Sequence, residues 1–371
     1  MYTYNDFVHD GMNQGCDPKK KVTSDSEKTY MVTEYNGHMF PTKSFDCEPH
    51  RMQHAMRHAN VLEAVEKEED IAGSFGWCMA DYNTHRDFGS GDRICYHGVL
   101  DMFRNPKMAA VVYASKQDQI PVLETSCSME IGEYPASTLG KTYIFTNTEK
   151  VRIYKNEKFV KEYKVKDSKP IEMDDYVGDL LISEEGFTKE QSDATKHILN
   201  SVAKYGLNHV PWSTFLKMPK LMLKYKMNVQ QVTDLYTKYI GNWGESAVEY
   251  RFDGIKNGKV VKSIIKAPMK KMILQAKADH TKLIETHTYD VALVQIKMVS
   301  EYGNVLHYSH EPIFIETEGP IEVIGPTCIT LQGGMFGTYV KSAGVGNAKL
   351  TLKDQRENKV EIHFQVEKRG E

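Results

Sequence analysis

The chain has no apolar run approaching the roughly 20 residues that a membrane-spanning helix needs. Its start, MYTYNDFVHDG, has neither the basic residues nor the long apolar stretch of a secretory signal. It has no excess of one charge: 47 Lys and Arg stand against 50 Asp and Glu, for a formal net charge of -3. That leaves no electrostatic case for nucleic acid or an anionic membrane as partner. No C-x-x-C pair occurs, and the six cysteines (Cys16, Cys47, Cys78, Cys95, Cys127 and Cys328) are irregularly spaced. Free thiols in a reducing cytoplasm are expected. None of the cysteines shows the histidine partner or helix N-terminus that would mark a nucleophile. There is no fixed-period repeat, no low-complexity tract, no P-loop and no dinucleotide fingerprint. The glycines of DFGSGD and LQGGMFG read as turns. No cofactor is expected.

What remains is the composition of an ordinary globular protein, 371 residues with 40% hydrophobic and 26% charged, enough for two to three domains. Four regions differ in texture. Residues 1–116 mix strands and helices. TYMVTEY (29–35) is β-rich, His50 to Lys67 carries apolar residues at helical spacing, and IAGSFGWCMADY (71–82) is again strand-like. That order predicts parallel strands. Pro106 suits the first turn of a helix in FRNPKMAAVVYASK. Residues 117–174 and 246–268 carry short β-runs, with KNEKFV and KNGKVV as hairpin turns. Residues 175–245 are helical in pattern; Thr188 with Gln191 makes a capping box and Gly206 a stop. From 269 to 371 the β-texture continues.

Several residues are candidates for chemistry. Glu34, in MVTEYNGHMFPTK, ends a parallel-type strand, where barrel enzymes gather catalytic groups. From local pattern alone, a solvated strand-end glutamate or one capping the following turn is the favoured reading. Trp77 in GSFGWCMADY offers a flat face suited to a sugar ring, or is a core tryptophan. The loop after it crowds Asp81, Asn83, His85, Asp87, Asp92 and Arg93, either lining a polar pocket or simply solvated. His54 and His58 share a helix face at zinc-binding spacing, but HAMRH lacks the glutamate of H-E-x-x-H, which favours helix packing. A metal-dependent hydrolase using His38, His54, His58 and His85 is a third reading.

Three stretches taken in order carry a resemblance: TEYNGHMFPTKSFD, HAMRHANVLEA and GSFGWCMADYNTHRDFGSGDRICYHGVLDMFRNPKMAAVVYASK. Together, over about 85 residues, they resemble the last part of the catalytic barrel of glycoside hydrolase family 2, in particular its β-galactosidase-like members. YIFTNTEKVRIYKNEKFVKEY and FDGIKNGKVVKSIIKAP resemble the β-sandwich that follows, and MILQAKADHTKLI through IEVIGP a final sandwich. The resemblance implies an α/β plus all-β fold. It is the C-terminal part of a (β/α)8 TIM barrel (1–116, strands six to eight), then immunoglobulin-like β-sandwich domains (117–174 with 246–268, and 269–371) and a helical insert (175–245).

The resemblance also implies retaining hydrolysis of terminal β-linked sugars, with a carbohydrate as the small-molecule partner. Glu34 takes the nucleophile position. Trp77 would form part of the sugar-facing wall, Tyr35, Asn36 and His38 would shape the pocket, and Asp81, His85 and Asp87 would line the substrate side. In the family, the acid/base glutamate follows an asparagine at the tip of strand four. Only 33 residues precede Glu34, and none is an Asn-Glu pair. Strands one to five are therefore expected to be absent. The isolated chain is expected to be inactive or nearly so, and to need an N-terminal polypeptide that completes the barrel. The rival reading is a non-catalytic carbohydrate-binding or structural β-sandwich assembly.

Overall fold

The computed structural model describes residues 1–7, 16–36, 40–87, 89, 91–129, 139–166, 169–241 and 248–368. The fold is mostly β-sheet with some helices, and the chain divides into two compact units.

One unit comprises residues 1–46, 64–110 and 269–371. Strands β1 (Tyr2–Asn5), β2 (Tyr30–Tyr35) and β3 (Ile71–Gly76) form a parallel sheet in the order β1-β2-β3. The chain runs from β2 through the helix Glu48–Lys67 to β3, and a crossover of that length is what parallel pairing requires. The strand-like stretch from residue 71 stops earlier than its apolar texture predicts. β3 ends at Gly76, the chain bends at Trp77, and the Trp77–Cys78 peptide is cis. Pro106 is likewise outside its expected helical turn. It bridges to Leu100, and the helix Met108–Ala114 begins two residues later.

Residues 269–371 form two sheets around one core. The first orders Met272–Ala278, Val291–Ser300, Met335–Ser342 and Ile321–Ile324; the second orders Lys282–Glu285, Lys359–Lys368, Gly346–Lys353, Pro312–Glu318 and Cys328–Thr330. Alternation drives this. Ala292, Val294, Ile296 and Met298 point inward from one strand and meet Leu350, Leu352 and Phe364 of the other sheet. Two glycines let loops approach these strands. A Cβ on Gly337 would lie 2.6 Å from the Phe103 side chain. Gly333 (φ 63°) leaves no room either, since a Cβ there would meet the Ser44 backbone at 2.6 Å.

The second unit comprises residues 47–63 and 111–268. It holds a three-stranded sheet (Ile171–Glu172, Tyr143–Thr146, Leu123–Thr125). A four-stranded one runs Lys259–Lys266, Tyr250–Lys256, Lys150–Lys155 and Lys158–Lys164. Its two hairpins turn through left-handed pairs, Asn156 with Glu157 and Asn257 with Gly258, the geometry that matches strand twist. Helices Leu180–Glu185, Lys189–Tyr205, Trp212–Phe215, Lys217–Lys224 and Val229–Tyr239 follow. Thr188 caps the second of these by accepting from the Gln191 N–H (3.3 Å), and Gly206 ends it. The complete reciprocal box lies elsewhere, between Asn228 and Gln231. Leu199, Ala203, Leu235 and Tyr239 of the helices share one core with Val151, Ile153 and Phe252 of the strands. His54 and His58 are buried edge to face, ring centroids 5.0 Å apart, and His58 Nδ1 lies 2.8 Å from the Tyr113 hydroxyl.

Lys155 is buried in this core. Its ammonium group donates to the Tyr239 carbonyl and sits 5.5 Å from the Tyr250 ring centre. Burial pulls its pKa down to about 7, against an unfolded value near 10.5. Between those values the unfolded chain binds the extra proton, so the Lys155 contribution to stability is complete above pH 10.5 and lost as pH falls through 7. Denaturant unfolding from pH 7 to 10 is expected to show stability rising with pH in the wild type. In Lys155→Met that rise should flatten.

Candidate active site at the strand tips

β2 would place Tyr30, Val32 and Glu34 on one face if it alternated strictly. It does not. Tyr4 pairs with Val32 but Asn5 pairs with Glu34, so Thr33 is an extra residue, and pairing with β3 shifts over the same stretch. Such a bulge re-aims the side chains beyond it. Tyr30, Val32 and Tyr35 are buried, while Glu34 is half-buried at the tip. Its Oε2 accepts a hydrogen bond from Asn5 Nδ2 (3.0 Å), and Thr33 Oγ1 donates to Asn5 Oδ1 (3.0 Å). The Asn5 amide therefore orients the Glu34 carboxylate and is itself held by Thr33.

The neighbouring tip brings Trp77 alongside. Tyr35 pairs with Gly76, and the Trp77 backbone N–H donates to the Tyr35 carbonyl (2.8 Å). The indole is 39% exposed and stands edge-on to Tyr82, centroids 6.1 Å apart, so one face remains open to a ligand. Asn36 adopts φ 59°, and both of its amide atoms are buried without a hydrogen bond among the described residues. His38 lies outside the described residues. The three parallel strands thus bring Asn5, Glu34, Tyr35, Asn36 and Trp77 to one end of the sheet.

Other candidates are placed differently. His85 and Asp87 pair with each other (3.3 Å) on an exposed loop, each about two-thirds exposed. Asp81 is buried against Lys107, Oδ1 to Nζ 2.7 Å, with both side chains at most 3% exposed. Oδ1 also accepts the Gly98 N–H (2.9 Å), and Lys107 donates onward to the Thr42 carbonyl (2.7 Å). Burial outweighs the pairing for both partners. It raises the Asp81 pKa to about 6 and lowers that of Lys107. One cysteine does have a histidine partner, contrary to expectation. Cys95 Sγ lies 3.3 Å from His97 Nδ1, because residues two apart on extended chain face the same way. Both are buried, and burial with the Lys107 charge holds His97 towards its neutral form. The pair is thus a packing contact without access to a substrate. Among the described residues, no group of three or more His, Cys, Asp or Glu could hold a metal ion.

Asn5, bonded to Glu34, is the strand-tip side chain that the sequence reading did not single out. The strand-tip argument applied to Glu34 selects it equally, as the last residue of YTYN.

No protein-family model matches the chain. A β-galactosidase from Thermoanaerobacterium thermosulfurigenes is 34% identical over 338 residues, 90% of this chain and 40% of that protein. A β-galactosidase sequence from Rhizobium radiobacter is 31% identical over 113 residues, 30% of this chain and 80% of its own length. A solved β-glucuronidase from glycoside hydrolase family 2 is similar in fold, with TM-score 0.58 at 12% identity, covering all of this chain and 34% of its own. The chain belongs to glycoside hydrolase family 2, among its β-galactosidase-like members. It spans about 40% of the length of the longer curated relatives it matches. No described helix is long and apolar enough to cross a membrane.

Lys107→Met is expected to strand a buried carboxylate and cost about 3–5 kcal/mol in chemical denaturation. The raised pKa of Asp81 has its own signature. Its contribution to stability is complete below its unfolded pKa, near 3.8, and is lost as pH rises through about 6. Asp81→Asn should abolish that fall in stability between pH 4 and 6.

Proposed function

We propose that this chain carries the nucleophile side of a retaining glycoside hydrolase acting on terminal β-linked sugars, with β-galactosides the first class to test. The observation that carries the reading is Glu34 at a bulged strand tip, oriented by Asn5 and flanked by an open indole. In this reading, the three parallel strands are strands six to eight of a (β/α)8 barrel. The two-sheet arrangement of residues 269–371 is an immunoglobulin-like sandwich, and residues 175–245 are an insert in the sandwich before it.

Retaining hydrolysis uses two carboxyl groups about 5–5.5 Å apart. One attacks the anomeric carbon and displaces the aglycone. The other, held protonated, gives its proton to the leaving oxygen and then takes one from the attacking water. Glu34 is the attacking group. Its described side-chain partner is an amide, Asn5, which cannot supply a proton. By the family resemblance, the proton donor belongs to strand four and is supplied by a polypeptide that completes the barrel. Supporting this, β1 is a sheet edge whose every residue is exposed, and Tyr2, Tyr4 and Phe75 leave apolar surface uncovered. Trp77 forms the sugar-facing wall, Tyr35, Asn36 and His38 shape the pocket, and Asp81, His85 and Asp87 lie on the substrate side.

Co-expression with a polypeptide carrying the first five strands, assayed on a panel of aryl β-glycosides, is the test. The complex should hydrolyse aryl β-galactosides, and Glu34→Gln should lower kcat by several orders of magnitude. Activity surviving Glu34→Gln would refute the nucleophile role. Hydrolysis of a nitrophenyl galactoside by the purified chain alone would refute the need for a partner.

A further inference from the structure

The first compact unit contains a cavity of about 250 Å³ that the strand-tip reading leaves unused. Its lining includes none of Asn5, Glu34, Tyr35, Asn36 or Trp77. The walls are aromatic and apolar: Phe45, Tyr96, Phe103, Met335 and Phe336. Phe45 is held edge-on by His310 (5.9 Å), and Phe103 lies against Phe336 (4.5 Å). The close approach of Gly333 to Ser44 seats the turn bearing Gln332 and Met335 against the loop bearing Phe45.

Asp81 also lines this cavity, only 4% exposed. Its Oδ1 is engaged by Lys107 and Gly98, while its Oδ2 accepts no hydrogen bond among the described residues. A carboxylate oxygen at a cavity wall can accept from a donor that enters the cavity. Lys107 already matches its charge, so the donor that suits it is a neutral one, such as a hydroxyl. At the lining, Lys43 holds its ammonium over the Tyr96 ring (4.8 Å from its centre), and Gln332 is exposed. Both can bond further hydroxyls. The other carboxylate, Asp101, is not available. It accepts from the N–H groups of Phe103 and Asn105 and from the Asn105 amide.

Aromatic faces, one carboxylate oxygen with no hydrogen bond among the described residues and two donors suit a small ring that is apolar on its faces and hydroxylated at its edge. We propose that this cavity is an accessory binding site for a neutral pyranose, separate from the strand tips and sharing only Asp81 with the residues assigned to the Glu34 site. It holds one sugar ring through stacking on the aromatic walls and a hydroxyl donated to Asp81 Oδ2. The volume admits a single ring and is too large for a lone water.

Saturation-transfer NMR on the full chain with D-galactose, D-glucose and D-mannose tests this. At least one hexose should bind saturably. Phe45→Ala and Lys43→Met, both outside the core, should each weaken binding about fivefold with unchanged thermal unfolding. Glu34→Gln should bind as the wild type does. Absence of saturable binding for all three hexoses would overturn the site, as would affinity unchanged in both cavity variants. Loss of binding in Glu34→Gln would assign the sugar to the strand tips instead. None of these outcomes bears on whether Glu34 is a nucleophile.

Discussion

Lys107 ties together segments that the sequence keeps 11, 26 and 65 residues apart: the Tyr96 carbonyl, the Asp81 carboxylate and the Thr42 carbonyl. The loop after β2, the chain after β3 and the segment at Tyr96 all converge on the ammonium group of a side chain that is 3% exposed. A charge taken out of water at that depth is tolerated only when each of its donors finds an acceptor. The geometry is therefore sharply specified. Thr42 leads directly into Lys43–Phe45, and Asp81 stands four residues after Trp77. The loops leaving two strand tips, and one wall of the neighbouring cavity, are referred to this single pin.

The strand tips depend on a second, smaller constraint. One extra residue in β2 breaks the alternation, so that Tyr35 is buried while Glu34 reaches the rim beside Asn5. The carboxylate is positioned by backbone pairing on both sides and by a two-step hydrogen-bond relay from Thr33. Its position therefore belongs to the sheet and not to a mobile loop. Support of this kind holds a side chain more precisely than a loop would.

Much of the fold could be read from local pattern. The strand–helix–strand order from TYMVTEY to IAGSFG yields the parallel sheet. Inward alternation in VALVQIKMVS builds the C-terminal core, and KNEKFV and KNGKVV are hairpins. Pattern misled where tertiary contacts took over. Residues 77–80 are apolar yet leave the strand after Gly76. Pro106 lies ahead of its helix. Gly333 and Gly337, both read as turn glycines, are needed where chain segments touch.

The same division runs through the site. The sequence alone determined that a glutamate ends a parallel-type strand, that an indole follows the next strand, and which family the chain resembles. Such features rest on local periodicity and residue order, which neighbouring residues carry. Three others were decided only by the tertiary structure: that Asn5 is the group bonded to Glu34, that Asp81 is paired with Lys107, and that Cys95 faces His97. Each of these depends on burial and on contacts set by strand register, bulge and loop closure. A one-residue shift in β2 would reassign every one of the strand-tip neighbours without changing a letter of the sequence around Glu34.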